Sequence, residues 1–431
     1  MINPNEITNI KLKHVEKPSE KSGLDYKKCF SSGKSWFQLE KEKLSQYRQN
    51  QILAQLDQWV PLIPSQMTFD TEFIDIEKDV ALVFIKYHEK FEFFHQNSGK
   101  HEKDRELHSE KEFVIQLIDS MKKDLSIQKL QQKIDDCRLW KGQKEEVRNP
   151  LFFKLSSRSP KDVTRMNDKN VDDLFEKDLK EYFPIESDRN NNSNRIVSFT
   201  RAATKLLQIS SSNDVLELML RSTRVYQDLI ETYVDFWNDS SPTKNRIALR
   251  EWDPSIDIRF EFRTFVVNSK LRACSQYNHV IYVEELEKYQ NEIRTLIHNT
   301  TEYLQEHYFK DFFTTYVADF VIYPSFFDSI KLGVHAKDCS ASSGEFIKLI
   351  ELNPYEESTG TCLFSWKQDT HILPMPNSAS LSSETSVSEN NTFEYRFITK
   401  EFEKKYLSHH LKEVVADEFK YILKETVTNY I

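Results

Sequence analysis

Three side chains in the C-terminal third carry the clearest chemistry of the chain: Asp319 in YVADFVIY, and Glu351 and Asn353, two apart, in FIKLIELNP. Successive side chains of an extended strand point to opposite faces, so Glu351 and Asn353 share a face and Asp319 joins them from a neighbouring strand. Magnesium prefers oxygen ligands at about 2.1 Å and usually takes one or two carboxylates, completing its shell with water and substrate phosphates. The set therefore points to Mg²⁺ and a bound nucleotide. The commoner role of a strand carboxylate is to keep a sheet edge soluble. Here, however, Asp319 lies among Tyr316, Val317, Phe320, Val321 and Ile322, and Glu351 among Ile347, Leu349, Ile350 and Leu352. An unpaired carboxylate in such surroundings is costly.

Further segments supply charge and hydrogen-bonding groups. In LFFKLSSRSPKDV, Lys154 ends an apolar run and leads into a hydroxyl-rich turn with Ser156, Arg158 and Lys161, a pattern that can surround phosphates with an ammonium, hydroxyls and backbone N–H groups. The ordinary alternative is a surface turn with a cap at Ser159 and Pro160 in the first helical position. In IRFEFRTFVV, alternation puts Arg259, Glu261 and Arg263 on one face, either as a solvated ladder or as a cleft floor where a carboxylate meets ribose hydroxyls and a guanidinium meets phosphate. RIALREW, with Arg250, has a backbone that can pair with an adenine edge, and Leu249 and Trp252 to pack on its ring. CSQYNH ends a further strand with Gln276, Tyr277, Asn278 and His279, and Arg221 and Arg224 are anion-contact candidates, although helix-surface arginines are usually solvated. Ser32-Gly33-Lys34-Ser35 ends like a P-loop, but Lys28 stands where the first glycine belongs.

The elements that must position these groups are short apolar runs beyond Pro150: LFFKLSS, RIALREW, FEFRTFVV, KLRACSQY, VADFVIY and FIKLIELN. They alternate with helices expected over Ser211–Leu220, Val225–Trp237 and Tyr282–Tyr308. That is an α+β pattern with a mixed sheet. Residues 1–55 read as a helical N-terminal arm, amphipathic from Trp36 to Leu56, and 56–375 as the main domain. ALVFIKYH suits helix or strand. A charged insertion spans about 96–145, with 96–112 as a solvated loop before a helix at Phe113–Leu130. His101 and His108 lack HExxH spacing and belong to a charged face. A Ser-rich linker at 376–392 precedes a C-terminal helix over 393–431.

Across 431 residues, 39% hydrophobic and 13% aromatic content furnishes a core despite 29% charge. A net charge of −9 counts mildly against RNA and anionic membranes without excluding a local basic cleft. Five scattered cysteines, without CxxC spacing, indicate neither a disulfide framework nor structural zinc. With no apolar h-region at the N-terminus and no membrane-length apolar run, a cytoplasmic protein is expected. Seven glycines disfavour a GxGxxG fold.

From about Trp59 to Trp366 the chain resembles the cell division cycle protein 123 (D123) family, on the strength of LFFKLSSRSPKD, DVLELMLRS, LREW followed by EFRTFVVNSKLRACSQ, VADFVIY and LIELNPYEESTGTCLFSW. The resemblance implies an ATP-grasp fold with ATP and Mg²⁺ between two α+β lobes. It assigns Asp319, Glu351 and Asn353 to the metal, Lys154 to the nucleotide phosphates, and Arg263 with Glu261 to the cleft wall. Ser156, Arg221, Arg250 and Trp252 stand beside them as nucleotide contacts. The chain departs from the family where SQR-D becomes Ser275-Gln276-Tyr277-Asn278, where KLNWSAP-D becomes KLSSRSPKD, and where DFN becomes ELN. Arg158 is then placed to supply the charge of the missing arginine.

Three functions follow from these readings. The first, implied by the resemblance to the D123 family, is an ATP-binding chaperone that promotes assembly of translation initiation factor 2 by binding its gamma subunit. The second is an ATP-grasp ligase that activates a carboxylate as an acyl phosphate. The third is phosphoryl or nucleotidyl transfer to a protein or RNA acceptor, with Arg263, Arg158 and His279 as catalytic candidates.

Overall fold

β-branched and aromatic runs between turn residues form two sheets in a computed structural model that describes residues 50–97, 103–144, 147–163, 169–235, 245–374 and 393–407. The first sheet contains β1 (Thr71–Asp75), β2 (Leu151–Leu155), β3 (Gln208–Ile209) and β4 (Arg246–Glu251) in the order β1-β4-β2-β3, every neighbour antiparallel. The second contains β5 (Glu261–Val267), β6 (Lys270–Gln276), β7 (Tyr316–Ile322), β8 (Ile347–Asn353) and β9 (Glu394–Arg396) in the order β8-β7-β5-β6-β9, with only β9 parallel to its neighbour. The expected α+β architecture with a mixed sheet is therefore present.

Each sheet buries one face under helices. Ile74, Leu151, Phe153, Leu155, Ile247 and Leu249 of the first sheet pack with Val80 and Phe84 of α1 (Lys78–Asn97), Leu117 of α2 (Lys103–Met121) and Ile127 of α3 (Leu125–Asp135). After α4 (Lys169–Tyr182) and α5 (Asn192–Lys205), the layer over this sheet is completed by α6 (Ser212–Arg221), whose N-terminus carries a reciprocal capping box between Ser211 and Asp214, and by α7 (Thr223–Ile230). Phe262, Val266, Phe320, Ile322, Leu349 and Leu352 of the second sheet pack with Ile293, Leu296 and Ile297 of α8 (Gln290–Leu304), with Phe326 of α9 (Pro324–Lys331), and with Phe175 and Val197 of α4 and α5. By alternation, the opposite faces carry Phe152, Lys154, Ala248 and Arg250 on one sheet, and Glu261, Arg263, Asp319, Glu351 and Asn353 on the other.

The segment before β1 ties the two sheets together. Leu56 N–H donates to Ser156 O just past β2, and Thr68 Oγ1 donates to Leu349 O of β8 at 2.8 Å. Gly344, ahead of β8, has φ +65, and a Cβ there would lie 1.7 Å from Gln66 O, so only glycine fits beneath this crossing strap.

Several expectations are corrected. ALVFIKYH, open between helix and strand from its sequence, is helical, within α1. The polar stretch read as a loop to residue 112 is helical from Lys103, and the helix expected at Phe113–Leu130 is broken at 122–124, where Asp124 caps α3 by accepting from Ser126 N–H. Tyr282–Tyr308 is interrupted at Tyr289, and the helix expected over Val225–Trp237 continues past Ile230 as a π-helix over Glu231–Asp235, with 236–237 outside the described residues. Arg259 falls in a 3₁₀ turn before β5, so it leaves the face shared by Glu261 and Arg263 and pairs with Asp257. The segment read as a C-terminal helix from 393 opens with β9, followed by a helical turn at Lys400–Phe402. Most of the N-terminal arm, the linker at 376–392 and the region beyond 407 lie outside the described residues. Cys137, Cys274, Cys339 and Cys362 are free thiols, and no helix among the described residues is long and apolar enough to cross a membrane.

Candidate functional site

The site forms where the faces of the two sheets turned away from their helical layers meet. Arg263, Asp319 and Glu351 are direct cross-strand partners on β5, β7 and β8, so their side chains stand in one row. Arg263 grips Asp319 with a two-pronged bond, Nε to Oδ1 at 2.8 Å and Nη2 to Oδ2 at 2.7 Å, and its Nη1 donates to Gly360 O at 2.6 Å. Asn353 Nδ2 donates to Asp319 Oδ2 at 3.0 Å. From the facing sheet, Lys154 Nζ reaches Glu351 Oε1 at 2.5 Å. Asp319, Glu351 and Asn353, expected together from two strands, are brought together with both cations named for the phosphates.

A β-bulge makes this possible. Ile347 and Leu349 face the core, so unbroken alternation would send Glu351 and Asn353 into the core as well. The register slips between Asp319 and Phe320, leaving Ile350 as the extra residue, and beyond it the carboxylate and the carboxamide turn to the cleft while Leu352 turns inward. The sequence carries a faint sign of this in the adjacent apolar pair Leu349-Ile350.

Two residues outside the principal expected set complete the row. Lys161 holds its ammonium 6.0 Å from the centre of the Tyr277 ring, and the guanidinium of Arg263 lies 5.0 Å from the same centre. The neighbouring Tyr277 phenol, then Glu351, Glu261 and Asp319, raise the pKa of Lys161 against the opposing effect of burial. Burial tends to raise Glu351, but Lys154, Lys161 and Arg263 outweigh it and hold its carboxyl below the usual range. Glu261, two residues from Arg263 on the same face, is pushed up to about 7 by burial, only partly opposed by Lys161. Burial depresses Lys154, and Glu351 opposes that shift. The result is three cations, Lys154, Lys161 and Arg263, facing three carboxylates, Glu261, Asp319 and Glu351.

The other expected site residues are placed differently. Arg158 turns away to Asp228 on α7, with Nε 2.8 Å from Oδ1, because the 156–163 turn folds onto that helix. Lys161, three residues on, takes the cleft position instead. Buried Ser156 accepts from Arg246 N–H at 3.1 Å and donates to Asn245 Oδ1, fixing the start of β4. Arg221 pairs with Glu217 and Glu110 on the helical layer, on the far side of the first sheet. Arg250 donates to backbone and hydroxyl oxygens between the sheets. Trp252 stacks beside Phe152 at the mouth of β4. His279 Nδ1 lies 3.0 Å from Tyr277 O, just beyond the row.

The matched stretches cover most of these elements. A family model described as D123 matches residues 197–419, just over half of the chain, which includes β4 to β9 but not Lys154 or Lys161. The chain is 31% identical over 170 residues to a translation initiation factor eIF2 assembly protein of Xenopus laevis, and 28% identical over 171 residues to one of Danio rerio. Each alignment takes in 39% of this chain but only 44% and 43% of the respective relative's length. The solved structure of Cdc123 from Schizosaccharomyces pombe aligns with 82% of this chain and 98% of its own, at 19% identity and a TM-score of 0.45. By the extent of the family match, the chain belongs to the D123 family.

Proposed function

We propose that the chain binds ATP together with Mg²⁺ in the cleft, as an ATP-grasp protein does, and acts in the assembly of translation initiation factor 2 through that factor's gamma subunit. The observation that carries this reading is the charge gathered in the cleft: Lys154 paired with Glu351 and Arg263 paired with Asp319, with Lys161 and Glu261 beside them. Such a set costs much to desolvate and contributes little to stability, so a ligand that uses both signs accounts for it. Nucleotide phosphates suit Lys154, Lys161 and Arg263.

The donor set fits magnesium. Among the described residues no group of three or more His, Cys, Asp or Glu side chains could hold a metal, so a metal here depends on a mixed oxygen set. Asp319, Glu351 and the Asn353 carboxamide are such a set, with Lys154 on Glu351 Oε1 and with Arg263 and Asn353 Nδ2 on Asp319. Bound there, the ion would neutralise phosphate charge. Lys154 and Arg263 would exchange carboxylate for phosphate oxygens, and Trp252 with Phe152 offers an apolar surface at the mouth of β4 for the base. The assembly role is supported by family membership and by the names of the relatives from Xenopus laevis and Danio rerio.

Calorimetric titration of ATP with Mg²⁺ into wild type, Asp319→Ala and Arg158→Met tests the reading. Binding should survive Arg158→Met and be lost in Asp319→Ala, with the nucleotide intact after hours and the purified gamma subunit retained on the ATP-bound protein. Absence of binding by wild type removes the reading. Release of ADP or AMP would assign a ligase or transferase instead.

A further inference from the structure

Arg250 lies 4% exposed between the two sheets, and among the described residues its hydrogen bonds go to neutral oxygens. Nη1 donates to Ile350 O at 2.8 Å, Nη2 to Thr68 Oγ1 at 2.9 Å and Nε to Thr71 Oγ1 at 3.3 Å, while Phe69 lies beneath the guanidinium at 5.0 Å. Thr68 Oγ1 in turn donates to Leu349 O. The two carbonyls so held, Leu349 and Ile350, belong to the bulge that turns Glu351 and Asn353 toward the cleft. A bulged residue drops out of the ladder, and its buried carbonyl needs a partner from elsewhere.

A purely structural latch would more economically be neutral, because a buried arginine without a carboxylate partner is unfavourable. Burial brings Arg250 down to about 10, still charged at neutral pH, and Glu351 is the carboxylate whose field opposes that shift. Arg250 therefore holds both the backbone that aims Glu351 and, at longer range, its charge.

We infer that Arg250 is a positioning residue: from the sheet that carries Lys154, it locks the Ile350 bulge and so sets the direction of the Glu351 and Asn353 side chains. This rests on the proposed Mg-ATP site for its functional consequence but not for its structural one. The same contacts make the bulge a joint between the sheets, so a displacement of β4 would be passed to the metal-facing residues through Arg250 and Thr68.

The test uses the full chain as wild type, Arg250→Met, Arg250→Lys and Thr68→Val, the last keeping shape while removing the second link. Hydrogen–deuterium exchange without ligand should rise in Arg250→Met and Thr68→Val over the peptides holding 67–69 and 347–353, and remain unchanged over α8 and β5. Unchanged exchange over 347–353 in both variants overturns the proposal, and this arm is decisive even if wild type binds no nucleotide. In titrations, affinity for ATP with Mg²⁺ should fall about 10- to 100-fold in Arg250→Met, as for loss of a group that orients a metal ligand, and affinity for ATP in EDTA should hold within about threefold. Arg250→Lys should fall between the two. An equal loss with and without Mg²⁺ would make Arg250 a direct nucleotide contact and overturn the positioning role.

Discussion

One face of the five-stranded sheet is built in two ways. Toward one end, Phe265 of β5, Ala273 of β6 and Val317 of β7 are fully buried beneath Tyr355, Phe364 and Leu373 from the loop that follows β8. Two residues along the same strands, Arg263 and Asp319 occupy equivalent places on that face, with the Tyr277 ring 5.0 Å from the guanidinium, and Glu351 completes the row. The boundary falls at Gly360, whose carbonyl accepts from Arg263. The covering loop is anchored there from both sides, by Trp366 Nε1 donating to Thr359 O and by Arg396 gripping Asp369. Where a sheet face could have been roofed with apolar side chains and is charged instead, stability does not explain the choice.

The largest break of this contrast comes from the roofed half. Phe265 packs edge-on against Phe364 and Trp366, with ring centres 5.8 Å apart in each case, and Phe265→Ala should cost about 3–5 kcal/mol in urea unfolding. Asp319→Ala should cost a similar or somewhat smaller amount, about 3 kcal/mol, because it strands a buried guanidinium. The double variant Arg263→Met/Asp319→Leu should recover to within about 1 kcal/mol of wild type, since an apolar pair dispenses with the desolvation cost. A double variant as unstable as the single would mean that the pair is structural after all, and the two halves would then be alike.

The smallest effect is on pH dependence. Glu261 has a folded pKa near 7, raised by burial above its ordinary value of 4.5, so the folded state binds more protons than the unfolded state between those values. Its contribution therefore favours folding at low pH and weakens as pH rises through that window. Compared with wild type, Glu261→Gln should gain relative stability between about pH 5 and about pH 8, read from paired denaturation curves. A constant difference across that range would contradict the half-buried, cleft-facing placement of Glu261. Glu351, held low by its cations, acts in the opposite sense: its contribution is present at neutral pH and lost on acidification below the usual carboxylate range.

The strands that carry the site were legible because their patterns are local. Period-two alternation in EFRTFVV and apolar runs such as VADFVIY give strand and face without reference to anything distant. What was not legible depends on tertiary placement. Arg158 and Lys161 sit three apart in one turn, and only the docking of that turn on Asp228 decides which cation reaches the cleft. Alternation also assigned Arg259 to the cleft face, since nothing in IRFEF marks the 3₁₀ turn that Asp257 caps. Arg250 is a further case, because a guanidinium aimed at a bulge carbonyl leaves no mark in its own segment. Conversely, the helix from Lys103 was masked by its charge, as the composition of 96–112 resembles a loop while the apolar side chains that pack it on the core include Phe113, Val114, Leu117, Ile118 and Met121.

The most direct test of the central claim is titration of ATP, with Mg²⁺ and in EDTA, into wild type and Glu351→Gln, a shape-preserving change at a side chain that keeps 24% of its surface exposed. Wild type should bind tightly only with the metal, and the affinity of the Glu351→Gln variant should no longer respond to Mg²⁺. Equal affinity of wild type with and without the metal, or a Glu351→Gln variant that responds to Mg²⁺ as wild type does, would contradict that claim.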